Sequence, residues 1–367
     1  MRSMGKYIYG IMNSGEELSF DPYATPSLSS VTFAKETSMW PSKVALSNKV
    51  YTISYQDISA VVSDSEIIDC TNLCKDSLAK LLLWHQIIIE GIMNLKYAII
   101  PARIGTFAID ENEVEDVLNK EYSVIKNIVR KIEDKIEIDV VAIWGDLNSV
   151  IKEVGEEKEI KEYKEKLLAK SEGINVDDQM KIGCMIKNHL DKRRKKYSFD
   201  IQTFLSEVSE DIKTYELMDD SMVANSAFLI NKIRQKDFDR KVEELNIKFA
   251  GKLYFRCVGP LPPYSFYTVE IKKIKFSEID CARKKLGLHN FATKNEIKRA
   301  YNKSVFSCHP DQNPDKPGAK EEFDNLTKAY KMLVDYCLAA KKTGQRDGYS
   351  FEEKEFKKNS ILIKVRD

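Results

Sequence analysis

Apolar residues along this chain change their period repeatedly, and each change marks an element. Lys6-Tyr-Ile-Tyr-Gly-Ile-Met12 alternates and is rich in β-formers, so it predicts a first strand. A polar, proline-containing insertion follows from Asn13 to about Asn48. Val50-Tyr-Thr-Ile-Ser-Tyr55 and Ile58-Ser-Ala-Val-Val62 read as a strand and its continuation beyond a kink at Asp57. From Leu73 to Met93 the spacing becomes helical, with Leu78, Leu81, Leu82, Trp84, Ile88, Ile89 and Ile92 on a wide apolar face. Tyr97-Ala-Ile-Ile100 is a strand closed by Pro101. Asp110 with Glu113 caps a helix that carries Val114, Val117, Leu118, Ile125, Ile128 and Val129. Glu137-Ile-Asp-Val-Val-Ala-Ile-Trp144 is another strand. Strands and helices mix without strict βαβ repetition, which predicts an α+β first domain.

Asp146 caps the next helical region, and Lys152 to Glu172 is dense in both charges. Glu157–Lys161 and Glu162–Lys166 stand at i,i+4, a spacing that supports an exposed helix. A further helical stretch is expected from Val176 past Lys196 to about Leu217. Ala224–Asn231 then reads as a strand, Lys236 to Phe249 as a helix and Lys252–Val258 as a strand. Gly259-Pro-Leu-Pro-Pro-Tyr264 is a tight turn, after which Ser265 to Ile271 is expected to return as the second arm of an antiparallel hairpin. This is a second α+β unit, with Lys272 to Ser277 as the linker beyond it.

Past the linker the period stays helical. Lys294 to Cys308 places Ile297, Ala300, Tyr301, Ser304, Val305 and Cys308 on one stripe, opened by a Thr293/Glu296 capping box. Pro310 stops that helix, and Pro314 and Pro317-Gly318 keep the chain out of helix until Ala319. A second stripe runs Phe323, Leu326, Tyr330, Leu333 and Cys337. The expectation is an antiparallel helical hairpin with His309-Pro310-Asp311 at its tip. From about Ser277 to Lys342 this resembles a DnaJ-type J-domain, with matching Leu286-Gly287-Leu288, Glu296 to Tyr301, His309-Pro310-Asp311, Phe323, Leu326, Ala329-Tyr330 and Leu333. The family more usually has an apolar residue at Ser304, basic residues at Ser307 and Gln312, and an aromatic one at Cys308.

The resemblance implies a docking loop that performs no chemistry and stimulates a DnaK-type ATPase chaperone. Asp311, on a proline-stiffened loop, suits a charge-assisted bond with a partner arginine, a class worth about 1.5–3 kcal/mol. His309, Pro310 and Asp311 are therefore expected to bind the chaperone, with Lys298, Arg299 and Lys303 steering onto an acidic surface.

A second resemblance covers Tyr7 to Phe266 and is to the gas vesicle protein GvpL/GvpF family. Its most specific residues are Gly259-Pro-Leu-Pro-Pro-Tyr-Ser-Phe266. Others are Tyr7-Ile-Tyr-Gly10, Ile58-Ser-Ala-Val-Val-Ser63, His85 with Glu90, Pro101-Ala-Arg-Ile-Gly-Thr106 and Asn225-Ser-Ala-Phe-Leu-Ile230. Ile104 and Leu261 stand where the family often has aromatic residues. The resemblance implies two α+β domains, the first ferredoxin-like, contact with the shell protein GvpA and other gas vesicle proteins, and no catalysis. The expected organisation is residues 1–144, residues 145–272, an all-α J-like hairpin over 277–342, and a tail over 343–367 that reads as a closing strand or a flexible end.

Composition narrows the remaining classes. A chain of 367 residues, 43% hydrophobic and 31% charged, is expected to be soluble and globular, with two or three cores. A net charge of +1 gives no global field toward nucleic acid or a lipid membrane. Seven scattered cysteines and an N-terminus without an apolar signal core read as cytoplasmic. The apolar run Leu81 to Ile89 is too short to span a bilayer. Candidate chemistry is sparse. His85 lacks a paired nucleophile and reads as a packed or hydrogen-bonded histidine, and Cys70-x-x-x-Cys74 lacks zinc spacing. Arg103 is a loop cation or the partner of Glu90 or another internal carboxylate, and Tyr264 is placed to lock the Pro-rich corner. Lys192-Arg-Arg-Lys-Lys196 would suggest nucleic acid by itself, but its acidic surroundings make it a solvated helix end. No cofactor or metal is expected.

Overall fold

The structure, a computed structural model, describes residues 4–20, 46–169, 175–273, 275–306, 318–341, 348–356 and 361–366. In chain order the first elements are β1 (Met4–Met12), β2 (Ser19–Phe20), β3 (Leu46–Tyr55), β4 (Ile58–Glu66), α1 (Lys75–Asn94), β5 (Ile99–Pro101), β6 (Phe107–Ala108) and α2 (Glu111–Ile132). Next come β7 (Lys135–Trp144), α3 (Leu147–Gly155), α4 (Lys158–Leu168), α5 (Val176–Ser206), β8 (Asp211–Thr214), β9 (Met222–Asn231), α6 (Gln235–Lys248), β10 (Leu253–Leu261) and β11 (Thr268–Lys273). The remainder is α7 (Phe276–Lys285), β12 (Phe291–Ala292), α8 (Lys294–Phe306), α9 (Ala319–Lys341), β13 (Tyr349–Ser350), α10 (Glu353–Phe356) and β14 (Ile361–Arg366). These form two compact units, one of Met1–Ile88, Ala102–Lys126 and Thr268–Asp367, the other of Ile89–Pro101 and Asn127–Tyr267.

In the first unit β4 lies between β3 and β1, with β2 beyond β3 and β6 against β1. Tyr7, Ile8, Tyr9, Ile11 and Met12 are all buried, so β1 is a central strand and not a half-exposed one. The expected kink at Asp57 is instead a hairpin reversal. β3 and β4 pair antiparallel up to Tyr55↔Ile58, and Gln56 turns the chain with φ 52. Helix α2 fastens that turn: Tyr122 Oη donates to Asp57 at 2.7 Å, Lys126 pairs with the same carboxylate, and Tyr55 Oη donates to Asn119 at 2.7 Å. Most of the 13–48 insertion lies outside the described residues. Its described ends supply β2 and the start of β3, with Thr52 N–H donating to Leu18 C=O at 3.0 Å. The Asp110 cap forms as expected, accepting Glu113 N–H at 2.9 Å.

The second unit is an antiparallel sheet in the order β10-β7-β9-β8. Ile136, Ile138, Val140, Ala142 and Trp144 alternate onto one core with Phe228, Ile230, Leu190, Ile201, Leu205, Phe238 and Leu245. Asp146 caps α3 through Asn148 N–H at 3.0 Å, and Asn175 opens α5 with a capping box on Asp178. Helix α5 stops at Ser206, short of the expected Leu217, because Asp211–Thr214 is drawn into pairing with β9. Glu157 does not follow the expected i,i+4 pattern. It accepts from His189 Nδ1 at 2.5 Å and Arg193 at 2.7 Å, while Lys158–Glu162 is a loose 3.9 Å pair.

The expected hairpin across Gly259–Tyr264 is also replaced. β10 takes β7 as its partner, and β11 takes β14, with Thr268 opposite Arg366 and Lys273 opposite Ile361. Pro262 and Pro263 have no N–H to give a ladder, and the chain wraps around them. Phe266 and Tyr267 donate back to Pro263 C=O at 3.1 and 2.9 Å. β14 resolves the open choice for the end of the chain in favour of a strand. The expected linker at Lys272–Ser277 is mostly structured, since Lys272 and Lys273 belong to β11 and Phe276 opens α7.

Candidate partner-docking sites

The J-like module is built on one apolar core. Ile279 and Ala282 from α7, Ile297 from α8, and Leu326, Ala329, Leu333, Tyr336 and Cys337 from α9 are buried together. Helix α7 was not foreseen, because its stripe is short and five of its ten residues are charged. It ends at Gly287, whose φ of 66 is the left-handed geometry that closes helices. The Thr293/Glu296 box forms in both directions, at 2.8 and 3.2 Å. Thr293's N–H and hydroxyl hold the Glu296 carboxyl below its ordinary value. Tyr301 stacks on Tyr330 with centroids 4.3 Å apart, and its hydroxyl meets Thr327 Oγ1 at 3.1 Å, locking α8 onto α9.

This packing fixes which side of α8 faces outward. Lys298, Arg299 and Lys303 are all exposed, while Ala300, Tyr301 and Val305 are half-buried against the module core and Ser304 is half-buried. Arg299 and Lys303 stand one turn apart, so their charges share a face. His309, Pro310 and Asp311 lie outside the described residues, as do Ser307, Cys308 and Gln312. Residues beyond the matched hairpin complete the core. Tyr349, Phe351 and Phe356 are buried, Tyr336 Oη donates to Ser350 C=O at 2.6 Å, and its ring stacks on Phe356 at 5.6 Å.

Several candidates of the front part make contacts within the fold. His85 is 2% exposed and meets Tyr7 Oη at 2.8 Å through Nδ1; burial lowers its pKa from 6.5 to about 4, so the ring is neutral. Trp84 Nε1 donates to Tyr9 Oη at 3.1 Å. Arg103 pairs with Glu270 of β11 at 2.9 Å, not with Glu90. Cys70 is half-buried and Cys74 exposed, and among the described residues no cluster of three or more His, Cys, Asp or Glu could hold a metal. Lys192–Lys196 lies in the middle of α5 and not at a helix end; Arg193 pairs with Glu153 and Glu157, and Arg194 with Asp191. Among the described residues, no helix is long and apolar enough to cross a membrane.

One constellation escaped the sequence reading. Glu137, 1% exposed, accepts the Ser265 N–H at 2.8 Å and the Ser265 hydroxyl, so a buried carboxyl holds the Pro-rich turn. Burial raises its pKa despite those bonds, and Asp139 two residues along is raised for the same cause. The visible signal was two acids at i,i+2 within an otherwise apolar strand, which puts both on one face. Tyr264 sits at the corner as expected, its hydroxyl raised by burial and then by Glu90 and Glu137.

The family model described as Gas vesicle synthesis protein GvpL/GvpF matches residues 5–268, and the DnaJ domain model matches residues 284–338. Gas vesicle protein F of Dolichospermum flosaquae is 22% identical over 187 residues, 50% of this chain and 76% of its own length. Gas vesicle protein F of Haloferax mediterranei is 22% identical over 230 residues, 62% of this chain and 86% of its own. DnaJ homolog subfamily C member 5B of Sus scrofa is 48% identical over 50 residues, which is 14% of this chain and 25% of that relative, so the likeness concerns the module alone. The crystal structure of GvpF from Anabaena sp. PCC7120 superposes with a TM-score of 0.57 at 18% identity, over 72% of this chain and 98% of that one. GvpF from Microcystis aeruginosa gives 0.51 at 19% identity, over 71% and 98%. These superpositions bear out the α+β fold of the front part, to which the J-type helices are joined.

Proposed function

The chain belongs to the gas vesicle synthesis protein GvpL/GvpF family, and from that premise we propose that it is a non-enzymatic assembly adaptor. Its front part binds the shell protein GvpA, and its J-like module recruits a DnaK-type ATPase chaperone to that client. The carrying observation is that the two family matches, residues 5–268 and 284–338, follow one another on a single chain. The physics favours such a fusion. A shell that faces gas needs very apolar subunits, and before assembly these expose apolar patches and β edges that aggregate. Tethering a chaperone-recruiting module to the protein that holds them raises the local chaperone concentration, to the order of millimolar for a short tether.

In this reading Asp311 bonds to the chaperone, supported by His309 and Pro310, while the exposed Lys298, Arg299 and Lys303 steer the encounter. The setting is the cytoplasm, at growing gas vesicles, with neither nucleic acid nor lipid as partner. The test is Asp311→Asn in the full chain. Folding is expected to be unchanged, stimulation of the chaperone ATPase lost, and the yield of intact vesicles reduced. A normal vesicle yield would point to a minor shell component instead. Failure of the wild type to enrich GvpA in a pulldown would point to a J-protein with a general client range.

A further inference from the structure

The sheet of the second unit ends on β10. Among the described residues β10 pairs with β7 alone. Gly145 N–H donates to Lys252 C=O at 2.8 Å, so the backbone groups of Lys252 face β7. By the two-residue alternation of an antiparallel ladder, those of Tyr254, Arg256 and Val258 do as well. The N–H and C=O of Phe255 and Cys257 therefore point away from the sheet, and among the described residues they meet no hydrogen-bond partner. Such an edge is a template for another strand unless charge, proline or a bulge blunts it. Here the irregularity and Pro260 come only after Val258, so Leu253 to Val258 is clear of both and carries a single charge, Arg256, which leaves the edge open to a strand that brings the opposite charge.

Side chains beside this edge suit an apolar strand. Phe255 turns inward and packs on Phe249, with centroids 6.1 Å apart. Tyr254 and Val258 lie on the opposite face, 59% and 40% exposed, across from Ile143 and Asp139 of β7, with Val141 across from Arg256 between them. Arg256 stands between them and, like Lys252, makes no ion pair among the described residues. No acidic residue occurs anywhere in β10. The edge strand is thus mostly apolar, with Arg256 at its centre, and carries main-chain groups that meet no partner among the described residues.

We propose that β10 is a strand-acceptor edge. An extended segment of an unassembled gas vesicle shell subunit, apolar at alternate positions and carrying a carboxylate opposite Arg256, adds beside Phe255 and Cys257 as a fifth strand. The identity of that donor rests on the adaptor reading above; the edge itself rests on the geometry. A second copy of this chain fits less well. Antiparallel self-pairing centred on Arg256 sets two arginines opposite each other, with no acid in either strand to relieve them.

The test uses immobilised full-length protein and GvpA as the probe, at low and moderate salt. Cys257→Pro removes an outward N–H while sparing the inward groups that pair with β7. Arg256→Glu reverses the central charge, and Ile233→Ser, at an 87% exposed position off this edge, is the control. Both edge variants are expected to lower GvpA capture at least about fivefold with wild-type melting, while the control captures normally. Wild-type capture by Cys257→Pro and Arg256→Glu would overturn the edge and leave the adaptor reading standing. No capture by the wild type would overturn both. Should Cys257→Pro fail to fold, Arg256→Glu decides: unchanged capture overturns the proposal, and a loss together with salt sensitivity supports it.

Discussion

The J-like module and the family body treat polarity in opposite ways. In the body, Ser59, Ser63, His85, Thr106, Glu137, Ser226 and Glu270 are all buried. Among the described residues of 276–356 the buried set is apolar throughout, and Lys298, Arg299 and Lys303 are on the surface. The body therefore uses internal hydrogen bonds to specify which turn meets which strand, as Glu137 does for Ser265. The module relies on side-chain packing and leaves its charge where a partner can reach it. An apolar core tolerates surface change, so the module's outer face can vary without disturbing its fold.

The largest expected effect tests whether residues past the hairpin belong to the module's core. Phe351, 1% exposed and 5.6 Å from the Tyr336 ring, is the probe. Phe351→Ala should destabilise the module by about 3–5 kcal/mol, read as faster amide exchange throughout α9. Unchanged exchange would show that the module ends with α9.

Glu137→Ala should come next. It removes the acceptor of the half-buried Ser265 N–H and should cost about 1–3 kcal/mol in denaturant unfolding of the second unit. The pH dependence sharpens the comparison. Because burial raises the Glu137 carboxyl, folding favours its protonated form. That contribution is fully present below the ordinary value of 4.5 and is lost as pH rises toward the raised value, so Glu137→Gln should flatten the decline.

His85 carries the opposite sign. Burial lowers it from 6.5 to about 4, so folding favours the neutral ring. Its contribution is present above pH 6.5 and lost as pH falls through 4. The drop in melting temperature of the first unit between neutral pH and pH 4 should be smaller in His85→Phe, after allowance for the lost Tyr7 bond.

The smallest effect on the protein itself is expected on α8. Arg299→Glu with Lys303→Glu should leave melting unchanged, slow chaperone association severalfold and weaken its salt dependence, as stopped-flow binding would show. A folding defect in that variant would mean these residues belong to the fold and not to a docking face.

Legibility in the sequence followed range along the chain. The Asp110, Asp146 and Thr293 caps were readable because donor and acceptor lie within three residues of each other. The stripes of α8 and α9 were readable because helical periodicity is local. Helix α7 was missed because charge obscures its short stripe, and the Gln56 reversal because no glycine or Asn-Gly pair marks it. Arg103 could be read only as a loop cation or as the partner of an internal carboxylate, because that partner, Glu270, comes from a distant stretch.

The order of residues by itself determined the helical hairpin of the module, the caps, the apolar strands and the family motifs, since each depends on neighbours a few positions away. Tertiary structure alone decided that β11 meets β14, that β10 meets β7, and that Glu137 closes on Ser265. Every strand offers the same main-chain donors and acceptors, so the backbone cannot choose among them. Packing of whole elements makes that choice, and it acts between residues that the linear pattern never brings together.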